Sequence, residues 1–180
     1  MRRDYIEALC GEWTKARTVA STAWHLVAAV ASGIGLSVVV CALARAGIGA
    51  GQDSTKSALS GLQLAQAPLA LCGVQLITGE YRSGLIHTSL AAVPRRTMFV
   101  AAKVTVILGL TLAAATVTMA GALLVTRTEP NPHVVLSATL HVIYVGILSS
   151  GVGFLVRDTA FADALVLGVL YVLPLVSRLR

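Results

Sequence analysis

Few residues of this chain are of the types that do chemistry, and those few are not spaced for it. The four histidines, His25, His87, His133 and His141, are scattered along the sequence. No HExxH, no GxSxG and no Cys/His ligand cluster accompanies them, so metal-assisted hydrolysis and a serine nucleophile both lack their parts. Arg157, Asp158 and Asp163 could hold a polar headgroup, but acids five residues apart point in different directions on a helix, and loop or cap roles suit them better. The stretch Gly51 to Ser57, reading GQDSTKS, imitates a phosphate-binding loop. It lacks the glycine directly before the lysine and any preceding strand, so the chain is not expected to bind ATP itself. Cys10, Cys41 and Cys72 form no CxxC pair, and two of them lie in apolar runs, where cysteine acts as a small hydrophobe. The expectation is a protein that is not an enzyme, with no catalytic residue, metal site or cofactor.

The bulk of the chain explains this poverty. Of 180 residues 56% are hydrophobic and only 12% charged, with a mean hydropathy of +0.81, more apolar surface than a soluble domain of this size can bury. The charges sit in short clusters, and the uncharged stretches between them can be measured against a bilayer core about 30 Å thick, or roughly 20 helical residues. That comparison predicts an all-α integral membrane protein with a bundle of about five transmembrane helices, forming one domain over residues 1–180. The spans fall at 18–44, 57–79, 104–126, 134–156 and 164–177. The last is the weakest, with 14 uncharged residues interrupted by Pro174, roughly 21 Å of helix.

Two segments outside the spans carry pattern. In residues 1–17, Tyr5, Leu9 and Trp13 recur at helical spacing with Ile6 and Cys10 beside them, while Glu7, Glu12 and Lys15 take the other side. This predicts an amphipathic interfacial helix. Residues 80–103 contain a helical apolar face (Leu85, Ile86, Ser89, Leu90, Val93) ended by Pro94 and flanked by Arg82, Arg95, Arg96 and Lys103, which predicts a short helix outside the bilayer, free to lie on lipid or to meet a soluble partner. Within the spans, Gln63 and Gln66 are candidate intramembrane polar contacts, to another helix or along a polar path. In the third span Gly109 and Ala113, then Thr116 and Ala120, have the small-xxx-small spacing that allows close helix approach.

The net charge of +6 does not imply nucleic acid, because the basic residues flank apolar segments instead of forming one face. Counting Lys and Arg near span ends gives nine on the N-terminal side and five on the other, which predicts a cytoplasmic N-terminus in a multi-pass cell-membrane protein and contact with anionic lipid. An ion-driven carrier would keep ionisable residues deep in its spans, and these spans hold only His25 and His141.

Three stretches resemble the ABC-2 type transporter permeases, in particular the short actinobacterial permease subunits. They are Gly11 to Arg17 (GEWTKAR); Ile77 to Gly84 (ITGEYRSG) followed by Leu90, Pro94, Arg95, Arg96 and Lys103; and Gly153 to Ala160 (GFLVRDTA) leading to Val172, Leu173 and Pro174. The resemblance implies a half-transporter that pairs with a second permease half, as homodimer or heterodimer. It also implies a separate cytoplasmic ABC ATPase subunit that hydrolyses ATP and drives efflux. It carries over Glu80, Arg82, Gly84, Pro94 and Arg95 as ATPase-coupling positions, and no substrate contacts. Members of the family continue through a sixth span, which this chain is expected to lack. The alternative from another class is a nontransporting accessory or degenerate membrane protein derived from such a permease.

Overall fold

The computed structural model of the chain describes residues 2–47, 54–84, 96–156, 158–172 and 176. Among them all regular structure is helical: α1 (Arg2–Thr18), α2 (Ala20–Arg45), α3 (Ser54–Leu59), α4 (Leu62–Ser83), α5 (Arg96–Thr126), α6 (Pro132–Leu155) and α7 (Thr159–Leu167), the last continued by a π-helical turn at Gly168–Val172. Four stretches are long and apolar enough to cross a membrane: Ala20–Arg45, Thr55–Ser83, Thr97–Thr126 and Pro132–Leu155.

Burial in these helices is arranged for a hydrocarbon solvent. Val27, Val39, Val117, Leu124, Leu140 and Leu155 face outward, while Ser37, Thr78, Thr111, Thr118 and Ser149 are fully enclosed. In water this distribution would be inverted; in lipid, interior contacts favour small and hydroxylated residues. The enclosed hydroxyls are satisfied on their own helices. Ser37 donates to the Gly33 carbonyl at 2.8 Å, Thr118 to Ala114 at 2.8 Å and Thr78 to Val74 at 3.1 Å, so none carries the cost of an unmet buried donor.

Helix α4 is the hub, packed against α2, α5, α6 and α7. Leu62, Ala65 and Leu69 of α4 join Ala29, Ala115, Met119 and Val142 in one apolar cluster, and Ala70 and Val74 join Val145, Ala162 and Val166 in a second. Where α2 meets the start of α4, a Cβ built on Gly61 would overlap the Gly33 carbonyl, so the two backbones touch there. The small-xxx-small residues of α5 do not make this kind of contact. Gly109, Ala113, Thr116 and Ala120 are all exposed, and the packed face of α5 is Thr111, Ala114, Ala115, Thr118 and Met119.

At the end of the bundle remote from α1, described helix ends and the turn after α5 are tied together. Arg45 donates to the Thr126 carbonyl at 2.7 Å, Thr55 donates to the Glu129 carbonyl at 3.0 Å, and Asn131 accepts the His133 amide at 3.1 Å. With Pro132 following it, Asn131 makes an ordinary N-cap for α6.

Several predicted boundaries differ from the structure. Helix α4 runs on to Ser83 and α5 starts at Arg96 instead of 104, so charged Glu80 and Lys103 lie inside helices. A charge ends an apolar run without ending a helix, and these two are paired within the protein. The fifth predicted span at 164–177 begins earlier, with Asp158 capping α7 by accepting the Phe161 amide at 2.8 Å. The described part, Thr159–Val172, falls short of the four long spans. It nonetheless lies antiparallel along α4: Thr159 and Thr78 hydroxyls meet at 3.0 Å, and Tyr171 donates to the Gln63 carbonyl at 2.8 Å. The predicted short helix at 85–93 lies outside the described residues.

Candidate functional site

Helix α1 buries one face on α5. Tyr5 and Thr105 hydroxyls are 2.9 Å apart, and Ala16 packs with Val106 and Leu110. That register brings Glu12, one turn before Ala16, inward, and leaves Trp13 exposed beside Arg17, whose guanidinium lies 6.0 Å from the indole centre. The apolar face expected on α1 from Tyr5, Leu9 and Trp13 is therefore rotated, and an acid sits in the contact.

Glu12 meets three other charges there. Lys103 Nζ lies 2.7 Å from Glu12 Oε2 and 2.9 Å from Glu80 Oε1, and also donates to the Leu76 carbonyl at 3.3 Å. Its three N–H groups thus meet three acceptors. Lys15 Nζ lies 2.9 Å from Glu12 Oε1 and 3.0 Å from Glu80 Oε1. Two acids and two lysines, from α1, α4 and α5, form a neutral quartet in which the side chain of Lys103 is 4% exposed and those of Glu12 and Glu80 are 9% exposed. Charges so buried are tolerated only when paired and hydrogen-bonded, and removing one member leaves another stranded. One atom is left over: Glu80 Oε2 is buried without a hydrogen-bond partner among the described residues.

The ionic states follow from this geometry. Burial works against the Glu12 carboxylate, but the charge and hydrogen bond of Lys103, helped by Lys15, outweigh it and hold the carboxyl below its ordinary 4.5. Burial likewise works against the Lys15 ammonium, and its bonds to Glu12 and Glu80 outweigh that, raising it above 10.5. The stability Glu12 contributes is fully present above 4.5 and is lost as pH falls through its lowered folded value. The contribution of Lys15 is fully present below 10.5 and is lost as pH rises through its raised value. The difference in thermal stability between the purified protein and its Glu12→Gln variant, which isolates this pairing, is expected to be level between about pH 5 and 10 and to shrink on both sides. A difference that slopes steadily through neutral pH would contradict the pairing.

The quartet lies on the wall of a cleft of about 600 Å³ between α1, the start of α2, the last turns of α4 and the start of α5. Its apolar lining includes Val19, Cys72, Leu76, Val106 and Ile107, and its polar lining includes His25, Gln75 and Arg82. Beside it on α7, Asp163 interacts with Gln75 and His25 and keeps its Oδ1 buried with no hydrogen bond among the described residues.

The residues singled out from sequence are distributed as follows. Glu80 is in the quartet. Arg82 lines the cleft and is exposed. Gly84 ends α4 in the left-handed conformation, φ +70°, a position that favours glycine. Pro94 and Arg95 lie outside the described residues. Gln66 is buried and its Oε1 lies 2.6 Å from His141 Nε2, joining α4 to α6; the Gln63 side chain is exposed. Glu12, Lys15 and Lys103 were not among the candidates. No three His, Cys, Asp or Glu residues gather as a metal site among the described residues.

No protein-family model, curated protein or solved structure matches this chain. The functional reading therefore stands on the sequence pattern and on the geometry of the quartet and cleft.

Proposed function

We propose that the chain is the membrane-spanning permease subunit of an ATP-driven exporter of the ABC-2 type. It uses a separate cytoplasmic ATPase and a second permease half, and lies in the cell membrane with its N-terminus in the cytoplasm. The observation that carries this is the quartet. A transporter driven from outside the bilayer needs a rigid joint between the elements its ATPase can touch and the helices that line the path, and Glu12, Lys15, Glu80 and Lys103 lock α1 to the ends of α4 and α5 beside the cleft. Because separating such buried charges is costly, α1, α4 and α5 move together.

The course of α1 supports its role as the interfacial element. Tyr5 and Glu12 are roughly 10 Å apart along α1, yet their partners Thr105 and Lys103 are roughly 3 Å apart along α5. Helix α1 thus crosses α5 steeply, as a helix lying in the membrane plane would cross a span. The coupling segment at 80–103 joins α4 to α5 at the same end, where Glu80 and Lys103 bracket it. The backbone contact of Gly33 with Gly61 closes the bundle at the middle of α2 and the bond from Arg45 to Thr126 holds the opposite end together, so the cleft suits an inward-facing path.

Topology mapping checks the orientation. Single-cysteine labelling in intact cells is expected to leave sites in residues 1–17 and 85–95 protected, and to modify sites in 48–53 and 128–131. The reverse pattern would remove α1 and the coupling segment from reach of any cytoplasmic ATPase. The partner itself is tested by co-purification from native membranes.

A further inference from the structure

The geometry points to the cleft as a binding site for an amphiphilic amine, a molecule with a protonated N–H group at one end and an apolar body at the other, with Glu80 Oε2 as the acceptor. As a transported substrate this class of molecule rests on the permease proposal; as a ligand it rests on the cleft alone.

Glu80 Oε2 belongs to a side chain about nine-tenths buried on the cleft wall, and has no donor among the described residues, although its twin Oε1 takes both lysines. A carboxylate oxygen withdrawn from water and left without a donor is costly, and native proteins rarely keep one unless something fills it. The quartet cannot supply that donor. Lys103 has its three N–H groups on Glu12, Glu80 and Leu76, and Lys15 already bridges Glu12 and Glu80. A ligand N–H is the complementary group, and since the oxygen is closed to water in this structure, it meets that group once the Glu80 carboxylate turns toward the cleft.

The charges next to Glu80 leave room for a cation. The quartet is neutral, Arg82 adds one positive charge at the exposed rim, and Asp163 beside the cleft keeps an unmet oxygen. An anion would face Glu80 with both lysines of the quartet committed. The remaining basic groups on the cleft are His25 in its wall and Arg82, which is exposed. Next to the quartet the walls are apolar, with Cys72, Leu76, Val106 and Ile107 placed to receive a hydrophobic body. A volume of about 600 Å³ is that of a site for a drug-sized molecule.

The test is fluorescence titration of the full chain, purified into nanodiscs of zwitterionic lipid, with dansylcadaverine, a primary amine carrying an apolar ring system. Its N-acetylated form, which lacks the charge, is the control, and empty nanodiscs are subtracted from both. The expected result is saturable binding of one amine per chain, at least about tenfold tighter than the acetylated form. Glu80→Gln is expected to weaken it by a similar factor. Gly79→Phe is expected to abolish it, because a Cβ at Gly79 meets nothing within 4 Å and the ring can enter the cleft without displacing the helices. Should Glu80→Gln fail to fold, the acetylated probe and Gly79→Phe decide. Equal binding of both probes, or amine binding that survives Gly79→Phe, overturns the proposal. Amine binding by a chain that recruits no ATPase would keep this site and remove the permease reading, and the converse would do the opposite.

Discussion

Replacing Lys103 with Met should destabilise the folded chain by about 3–5 kcal/mol, the cost of leaving a buried charge without its partner. The side chain is almost wholly enclosed and holds one oxygen each of Glu12 and Glu80. Its removal leaves two carboxylates facing each other with only the partly exposed Lys15 between them. Thermal unfolding in detergent, followed by loss of the monodisperse peak, is the readout. The informative comparison is Lys103→Met together with Glu12→Gln. That pair removes one charge of each sign and leaves Lys15 with Glu80, so it should recover much of the loss, a coupling that distant substitutions do not show. Arg82→Met, at an exposed position on the cleft rim, should change stability by no more than about 0.5 kcal/mol. A Lys103→Met protein as stable as the parent would show that the four charges are not joined.

Gly61→Leu should be the next most damaging substitution. The first atom of the new side chain falls on the Gly33 carbonyl, which is backbone and cannot swing aside, and Ser37 already bonds that same carbonyl. The start of α4 and the middle of α2 must separate, at a cost of about 1–3 kcal/mol or more for forced overpacking. Gly109→Ala is the control. Nothing lies within 4 Å of its added Cβ, and removing a glycine from a helix interior should be neutral or stabilising by up to about 1 kcal/mol. If both substitutions behave alike, the α2 and α4 backbones do not meet where described.

These two positions also separate what sequence could reveal from what it could not. The long spans were legible because a bilayer core imposes a length on every apolar run, and 20–45, 55–83, 97–126 and 132–155 meet it with little help from tertiary structure. An amide among apolar residues needs a partner, and the Gln66 side chain meets His141 on α6. Helix faces were not legible. Spacing offered Gly109 with Ala113 as a packing motif in a helix rich in small residues, but which face of α5 is buried depends on where α4 lies. The quartet was missed because charged residues served to mark the ends of spans. By sequence position Lys103 flanks the third span and Glu12 belongs to a polar face, whereas each is buried by a partner distant in sequence. The available signal was the position of Lys103 between the apolar residues Phe99, Ala102 and Val106, where its head must either reach the interface or meet an acid from another element.

The most direct test of the account is co-purification of the tagged chain from its native membrane in mild detergent, with every partner identified and counted. A soluble ATP-binding subunit in fixed ratio, together with a second membrane half, is the predicted result. The ATPase should be lost when residues 85–94, outside the quartet, are scrambled without loss of expression or insertion. A stably inserted chain that brings down no ATP-binding subunit would contradict the permease assignment and leave a nontransporting membrane protein.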